Sequence, residues 1–386
     1  MKKVGLKEQS SMLIKDIGTG KQQLVEIAKA LSKDVKLLIL DEPTASLNEK
    51  DSKMLLDMLL KFKEEGMTAI IITHKLNEVA YVADKITVVR DGSTIETMDN
   101  KDHNIDEERI IKGMVGRELS NRYPQREHNI SDEVLFEAKD WTVYHPVYTE
   151  KCMVDHVNFH VNRGEIVGFS GLQGAGRTEL AMSLFGKNYG SHISGQEFIR
   201  GEEVHLKNEK DAILHGLAYA TEDRKTNGLI LSDTIARNTT MARMEKISNR
   251  FGVIDVDKEN KVAEEYVKRM RTKTPGIFQK AGNLSGGNQQ KLLVAREIGG
   301  DPVLLIAVYP SRGLDIGAAE AIHEILLEQC RKGVAVLLIS EELDELFQMS
   351  DRIGVLCSGE MMAVIDRKEA DYDTIGRLMS GEHYEK

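Results

Sequence analysis

The chain has 386 residues, 41% of them hydrophobic, and a formal net charge of −10. This length predicts two domains with packed cores, and the apolar runs are too short to cross a membrane. The acidic balance disfavours proteins that rely on a general attraction to nucleic acid or anionic lipid. Cys152, Cys330 and Cys357 lie far apart and lack metal-ligand spacing, which favours a reduced, cytosolic compartment.

The first predicted elements alternate between helices and strands. "QQLVEIAKAL" has apolar residues at helical spacing, "KLLILD" is typical of a buried strand, and "MLLDMLLKFKEEG" predicts an amphipathic helix that ends at Gly66. "TAIIITH" predicts another buried strand, and "KITVVRDG" leads into a turn. This alternation with short connections predicts a mostly parallel α/β sheet.

Two of these strands end in polar residues suited to nucleotide chemistry. Asp41 and Glu42 follow the strand "LLIL", and His74 follows "TAIIIT". Ligands of open parallel sheets bind at the carboxyl ends of the strands. We therefore expect Asp41 to hold Mg²⁺, Glu42 to polarise an attacking water and His74 to contact a γ-phosphate. Each residue alone is also compatible with a structural role.

Residues 98–131 form a predicted linker of mixed charge between a first domain, 1–97, and a second domain, 132–386. The second domain opens with "VLFEAKDWTVYH" and "VNFHVNRGEIVGFS", which predict an antiparallel layer ahead of the parallel core. Later, "DKENKVAEEYVKRMRTK" (257–273) predicts a helical insert.

The segment "GLQGAGRT" (171–178) follows a predicted strand and precedes a predicted helix, as a phosphate-binding loop does. Glycines let backbone N–H groups converge on phosphate oxygens, and the helix N-terminus adds its positive dipole end. Arg177 stands where lysine is usual and keeps the charge in a bulkier, planar group. Thr178 is expected to ligate Mg²⁺. The predicted phosphate-binding residues are Gly171, Gly174, Ala175, Gly176, Arg177 and Thr178.

A second candidate anion site lies in "LSGGNQQ" (284–290), at a predicted helix N-terminus. Ser285, Gly286 and Gly287 would present a hydroxyl and backbone N–H groups there. A helix cap without a ligand is the structural alternative.

The sequence also repeats itself at an offset of 267 residues (283 minus 16). "DIGTGKQQLVEIAKAL" lies over "NLSGGNQQKLLVAREI", and "LLILDEPTASL" lies over "LLIAVYPSRGL". The glycines, prolines and apolar strands that stay in step predict a duplicated domain. The first copy has no counterpart of residues 171–178, so we expect it to lack a front portion on the order of a hundred residues.

The order P-loop, LSGG, apolar strand with Asp-Glu, then His resembles that of ATP-binding cassette (ABC) ATPases. Two cassettes in one chain resemble the tandem ATP-binding subunits of bacterial monosaccharide importers of the ribose, galactose and xylose types. The stretches most similar to that family are "GKQQLVEIAKALSKDVKLLILDEPTASL", "RIIKGMVGRELSNRYPQR", "GEIVGFSGLQGAGRTEL" and "ATEDRKTNGL".

The resemblance implies two tandem ABC-type P-loop nucleotide-binding domains, the first truncated. Each would be α/β, with a mostly parallel core sheet, an antiparallel layer and a helical insert. The resemblance also implies ATP and Mg²⁺ as cofactors and head-to-tail cassette pairing, within the chain or between chains. The subunit would dock peripherally, at the cytoplasmic face of the membrane, on permease subunits served by an extracytoplasmic sugar-binding protein.

The second copy departs from the family at its strand end. Val308 and Tyr309 stand where such subunits usually have an Asp-Glu pair, and Glu341 replaces the histidine. One composite site would combine Asp41, Glu42 and His74 with Ser285, Gly286 and Gly287. The other would combine residues 171–178 with the altered second-copy positions and the worn turn Gly18, Thr19 and Gly20. We therefore expect one site competent for hydrolysis and one degenerate ATP-binding site, and very weak or no turnover by this chain alone.

Three alternatives remain open. "LLIAVYPSRGLDIGA" looks like the second cassette of related nucleoside importers, which leaves sugar or nucleoside as the substrate class. A soluble tandem ABC protein that acts on ribosomes or DNA is a second alternative, although no nucleic acid is expected from the charge. A non-catalytic fragment that docks on a partner is the third.

Overall fold

The computed structural model describes residues 12–14, 17, 19–33, 35–44, 47, 49–73, 75–90, 92–100, 105, 107–115 and 130–382. The chain divides into unit 1, Met1–Ser120, and unit 2, Asn121–Lys386, a boundary that falls inside the predicted linker 98–131. Within the described ranges, every helix is too short or too polar to span a bilayer.

Unit 1 alternates helices and strands as its apolar spacing predicts. In chain order its elements are α1 (Thr19–Leu31), β1 (Leu37–Asp41), α2 (Glu49–Glu64), β2 (Thr68–Ile72), α3 (Leu76–Val82), β3 (Lys85–Arg90), β4 (Ser93–Asp99) and α4 (Glu107–Val115). β1 and β2 pair in parallel, and β3 and β4 form an antiparallel hairpin. Part of β4 and all of α4 thus lie in the range predicted as linker.

The core of unit 1 lies on one side of the β1–β2 pair. Leu24 and Ile27 of α1 pack against Leu55 and Leu59 of α2, together with Leu40 of β1. The side chains on the opposite side of these strands are between 48% and 60% exposed, namely Leu37, Ile39, Ile70 and Ile72. One side of this sheet is therefore apolar and open to solvent.

Unit 2 first builds strands around the phosphate-loop segment and then a group of helices. These elements are β5 (Val134–Tyr144), β6 (Cys152–Asn162), β7 (Ile166–Gly171), α5 (Arg177–Leu184), β8 (Ser191–Ile199), β9 (Glu202–Val204), α6 (Glu209–Leu214), β10 (Leu217–Ala220), α7 (Ile235–Thr240), α8 (Met244–Ile247) and α9 (Val256–Arg269). The predicted helical insert, 257–273, corresponds to α9.

The rest of unit 2 follows the order of elements in unit 1. It contains α10 (Gly286–Ile298), β11 (Leu304–Val308), α11 (Ile316–Arg331), β12 (Ala335–Ile339), α12 (Leu343–Met349), β13 (Arg352–Cys357), β14 (Glu360–Asp366) and α13 (Tyr372–Met379). The bounds of α1 to β4 recur here from α10 to β14 at the offset of 267 residues. α4 and α13 correspond at an offset of 265 at their first residues (372 minus 107).

One ten-stranded mixed sheet organises unit 2, in the order β10-β11-β12-β7-β13-β14-β6-β5-β8-β9. β10, β11, β12, β7 and β13 are parallel to one another, whereas β5, β6, β8 and β9 pair antiparallel. Every residue of β7, β11 and β12 is buried, because the central strands are covered on both sides. The predicted α/β class with a parallel core and an antiparallel layer is confirmed for this unit.

Candidate functional site

The phosphate-loop segment turns sharply from β7 into α5. Gly174 and Gly176 have left-handed backbones, with φ of 83° and 97°. A Cβ at Gly176 would lie 2.5 Å from the carbonyl oxygen of Met153, so a side chain does not fit there. Gly176 is the residue before the first turn of α5, and Ala175, which precedes it in the loop, is buried. The glycine positions thus give the backbone the tight turn that phosphate-binding loops require.

Arg177 is the first residue of α5 and is only 3% exposed. Its Nη1 donates a hydrogen bond of 2.8 Å to the carbonyl oxygen of Ser340, just after β12. Its guanidinium also lies 5.5 Å from the ring centroid of Tyr309. The guanidinium that replaces the usual lysine is therefore positioned by residues that follow two neighbouring strands of the sheet.

The end of β11 contributes an apolar residue and a phenol to this site. Val308 is fully buried, and Tyr309 follows it with a left-handed φ of 47°. The hydroxyl of Tyr309 shares a hydrogen bond with the Thr178 side chain. Burial raises the pKa of the Tyr309 phenol above its usual value, so the hydroxyl is neutral at physiological pH.

Arg312 was not predicted as a site residue, yet it pairs with two carboxylates near Tyr309. Its Nη1 lies 3.5 Å from Glu222 Oε2 and 3.8 Å from Glu341 Oε1. The guanidinium lies 5.6 Å from the Tyr309 ring centroid. Burial raises the pKa of Glu222, and the nearby Arg312 opposes this shift. Glu341, expected to repel a phosphate, is thus partly neutralised.

The predicted second anion site lies at the start of α10 in unit 2. Ser285 precedes the helix, and Gly286 and Gly287 are its first two residues. The Ser285 hydroxyl makes no capping hydrogen bond to the helix backbone and instead accepts one of 2.9 Å from Asn288. The Ser285 side chain is exposed. Its contact with a phosphate stays a prediction.

In unit 1, Asp41 is the last residue of β1 and Glu42 follows it, both with exposed side chains. Glu42 has a left-handed φ of 42°, and its N–H donates to the carbonyl oxygen of Ile72 at 2.8 Å. His74 and Gly18 lie outside the described residues. Thr19 and Gly20 begin α1, and their side chains are not among those described.

Each unit has a buried glutamate near its strand ends that the sequence motifs did not predict. In unit 1, Glu78 of α3 accepts a hydrogen bond of 2.8 Å from Thr44, two residues after Glu42. It also lies 3.4 Å from Thr73 Oγ1 and from Lys75 Nζ, on either side of His74. Glu78 therefore joins the two segments that follow β1 and β2.

The equivalent residue of unit 2 is Glu345 of α12. Its Oε1 lies 2.6 Å from Nε2 of His323, and its Oε2 is buried without a hydrogen-bond partner. Burial alone would raise the pKa of Glu345, but its hydrogen bond with His323 and the charge of that ring hold the pKa below its usual value, and the neighbouring Ser311 and Ser340 act in the same direction. Thr44 and Thr73 beside Glu78 correspond in the repeat to Ser311 and Ser340 beside Glu345. These recurring hydroxyl residues are the sequence signal that could have identified the two buried glutamates.

Comparison with known proteins identifies the family of this chain. The profile described as ABC transporter matches residues 1–45 and 154–307. The L-arabinose transport ATP-binding protein of Geobacillus stearothermophilus is 52% identical over 380 residues, which are 98% of this chain and 74% of that protein. The xylose import ATP-binding protein of Thermoanaerobacter pseudethanolicus is 44% identical over 368 residues, 95% of this chain and 72% of that protein.

Solved structures resemble the fold. An ATP-binding cassette of an ABC transporter aligns with a TM-score of 0.54 at 18% identity, over 65% of this chain and 96% of that one. A dimeric bacterial ABC transporter cassette aligns with a TM-score of 0.53 at 20% identity, over 60% of this chain and 99% of that one. The chain belongs to the ABC transporter family, within its group of sugar-import ATP-binding proteins.

Proposed function

We propose that this chain is the ATP-binding subunit that energises import of a monosaccharide. The observation that carries the proposal is the turn formed by Gly174 and Gly176 between β7 and α5, which fits a triphosphate at a helix N-terminus. The sugar class comes from relatives, whose names specify L-arabinose and xylose. A nucleoside stays the alternative substrate class.

The proposed partners are membrane permease subunits, which an extracytoplasmic sugar-binding protein supplies with substrate. In this arrangement the chain lies peripherally at the cytoplasmic face of the membrane. Import-subunit relatives cover nearly the whole chain, which supports this placement. The sugar itself would be selected by the permease and the binding protein.

We further propose that the chain contains two tandem cassettes that pair head to tail, within one chain or between chains. The coincident element bounds at 267 residues support the duplication. In this sequence the P-loop motif occurs once, at 171–178. The competent site would use Asp41, Glu42, His74, Ser285, Gly286 and Gly287.

Because that competent site has no P-loop within this sequence, we expect the purified chain to bind ATP at unit 2 and to hydrolyse it very weakly or not at all. The test measures Mg²⁺-dependent phosphate release from ATP by the purified chain and by Glu42→Gln. Glu65→Gln, at an exposed position after α2, is the matched control. Turnover that Glu42→Gln abolishes and Glu65→Gln preserves would contradict the expectation.

A further inference from the structure

The residues around the P-loop of unit 2 do not fit the Mg²⁺ that ABC-type ATP binding generally uses. Mg²⁺ requires oxygen ligands in near-octahedral geometry, and P-loop sites supply a Ser or Thr hydroxyl and a strand-end Asp. Here the strand end is Val308, which is fully buried and has no ligand atom in its side chain. The Thr178 hydroxyl, in turn, is hydrogen-bonded to Tyr309.

The same place already holds two fixed positive charges. The guanidinium groups of Arg177 and Arg312 lie 5.5 Å and 5.6 Å from the ring centroid of Tyr309. The nearby carboxylates, Glu222 and Glu341, both pair with Arg312. A divalent cation would have to displace a guanidinium from these carboxylates and would be repelled by both arginines.

We propose that the P-loop of unit 2 holds the phosphates of a nucleoside triphosphate without a divalent metal. Arg177 and Arg312 supply the neutralising charge, and the phenol of Tyr309 closes the metal position at Thr178. Guanidinium groups suit this role because they bind phosphate oxygens through paired N–H donors and keep their charge at any physiological pH. The inference rests on the proposed function, since it requires that this loop binds ATP.

The test compares ATP affinity of the full chain in excess Mg²⁺ and in excess EDTA by isothermal titration calorimetry. We expect Kd in EDTA to be equal to or lower than Kd in Mg²⁺. A preference for Mg²⁺ greater than about threefold, which corresponds to about 0.7 kcal/mol, overturns the inference and leaves the proposed function intact. Absence of ATP binding in both buffers overturns the proposed function itself.

Variants test the two parts of the arrangement separately. Val308→Asp combined with Tyr309→Glu, which copies Asp41 and Glu42 of unit 1, should introduce a preference for Mg²⁺ of about tenfold because it frees Thr178 and adds the strand-end carboxylate. Arg312→Gln should weaken binding in EDTA by about tenfold, whereas Arg250→Gln, outside the site, should not. Circular dichroism identifies variants that fail to fold. If a variant does not fold, the comparison of wild-type Kd in Mg²⁺ and in EDTA still tests the inference.

Discussion

Glu42 and Tyr309 have the same backbone geometry at equivalent positions of the repeat. Their φ angles are 42° and 47°, and each N–H donates a hydrogen bond of 2.8 Å to the last residue of the neighbouring strand, Ile72 or Ile339. The unusual backbone of each strand end is thus kept, while the side chain changes from a carboxylate to a phenol. The two units differ in chemistry at this position and not in main-chain structure.

The phosphate-loop assignment predicts different results for two glycines with similar backbones. Gly174 in the loop and Gly201 between β8 and β9 have φ of 83° and 79°, and neither has an atom within 4 Å of an added Cβ. Gly174→Ala and Gly201→Ala should each reduce the free energy of unfolding by about 1–3 kcal/mol. Only Gly174→Ala should also weaken ATP binding, because its methyl group would occupy the space of a phosphate. Equal ATP affinities in calorimetry would contradict the assignment.

The buried pair of Glu345 and His323 should stabilise unit 2. Glu345→Gln removes the charged acceptor of a bond between side chains that are 1% and 5% exposed, so we expect a loss of about 3 kcal/mol in urea unfolding. Glu341→Gln, at an exposed position, is the control and should change stability by less than about 0.5 kcal/mol. Similar losses in the two variants would show that the pair contributes little.

This contribution should depend on pH in a defined direction. Because the folded-state pKa of Glu345 is lowered, its stabilisation is complete above the unfolded-state pKa and is lost as pH falls through the folded-state value. The difference in unfolding free energy between wild type and Glu345→Gln should therefore shrink in acid. A difference that grows below pH 4 would contradict the assignment.

Glu197 predicts the opposite pH dependence. It is a buried residue of β8, and burial raises its pKa from 4.5 to about 8. Its folded form binds a proton more tightly than the unfolded chain, so stability is highest below pH 4.5 and falls until the pH passes about 8. Glu197→Gln should remove this fall, worth up to about 5 kcal/mol. Denaturant titrations at several pH values, with exposed Glu202→Gln as control, measure the difference.

The alternative of a soluble protein acting on ribosomes or DNA makes a separate prediction. With a net charge of −10, we expect no RNA or DNA binding that depends steeply on salt. Fluorescence anisotropy with labelled RNA and duplex DNA between 50 and about 200 mM salt tests this. Binding that weakens by orders of magnitude over that range would favour the alternative.

Local patterns predicted the elements but not the contacts between them. The spacing of apolar residues identifies α2 as a helix with one buried side, and the unbroken apolar run of β11 identifies a strand buried on both sides. The bond between Tyr309 and Thr178 joins residues far apart in sequence and depends on β11 and β7 flanking β12 in the sheet. The pairing of Arg312 with Glu222 depends on β10 lying beside β11.

The open side of the β1–β2 pair affects how the protein must be handled. The equivalent side chains of β11 and β12 belong to one core with Leu180 and Leu184 of α5, whereas Leu37, Ile39, Ile70 and Ile72 contact water. A cluster of four large aliphatic groups promotes non-specific adhesion at the concentrations used for calorimetry. Samples should therefore be checked by light scattering before each titration, and aspartate or lysine at Ile39 offers a soluble version for the binding experiments.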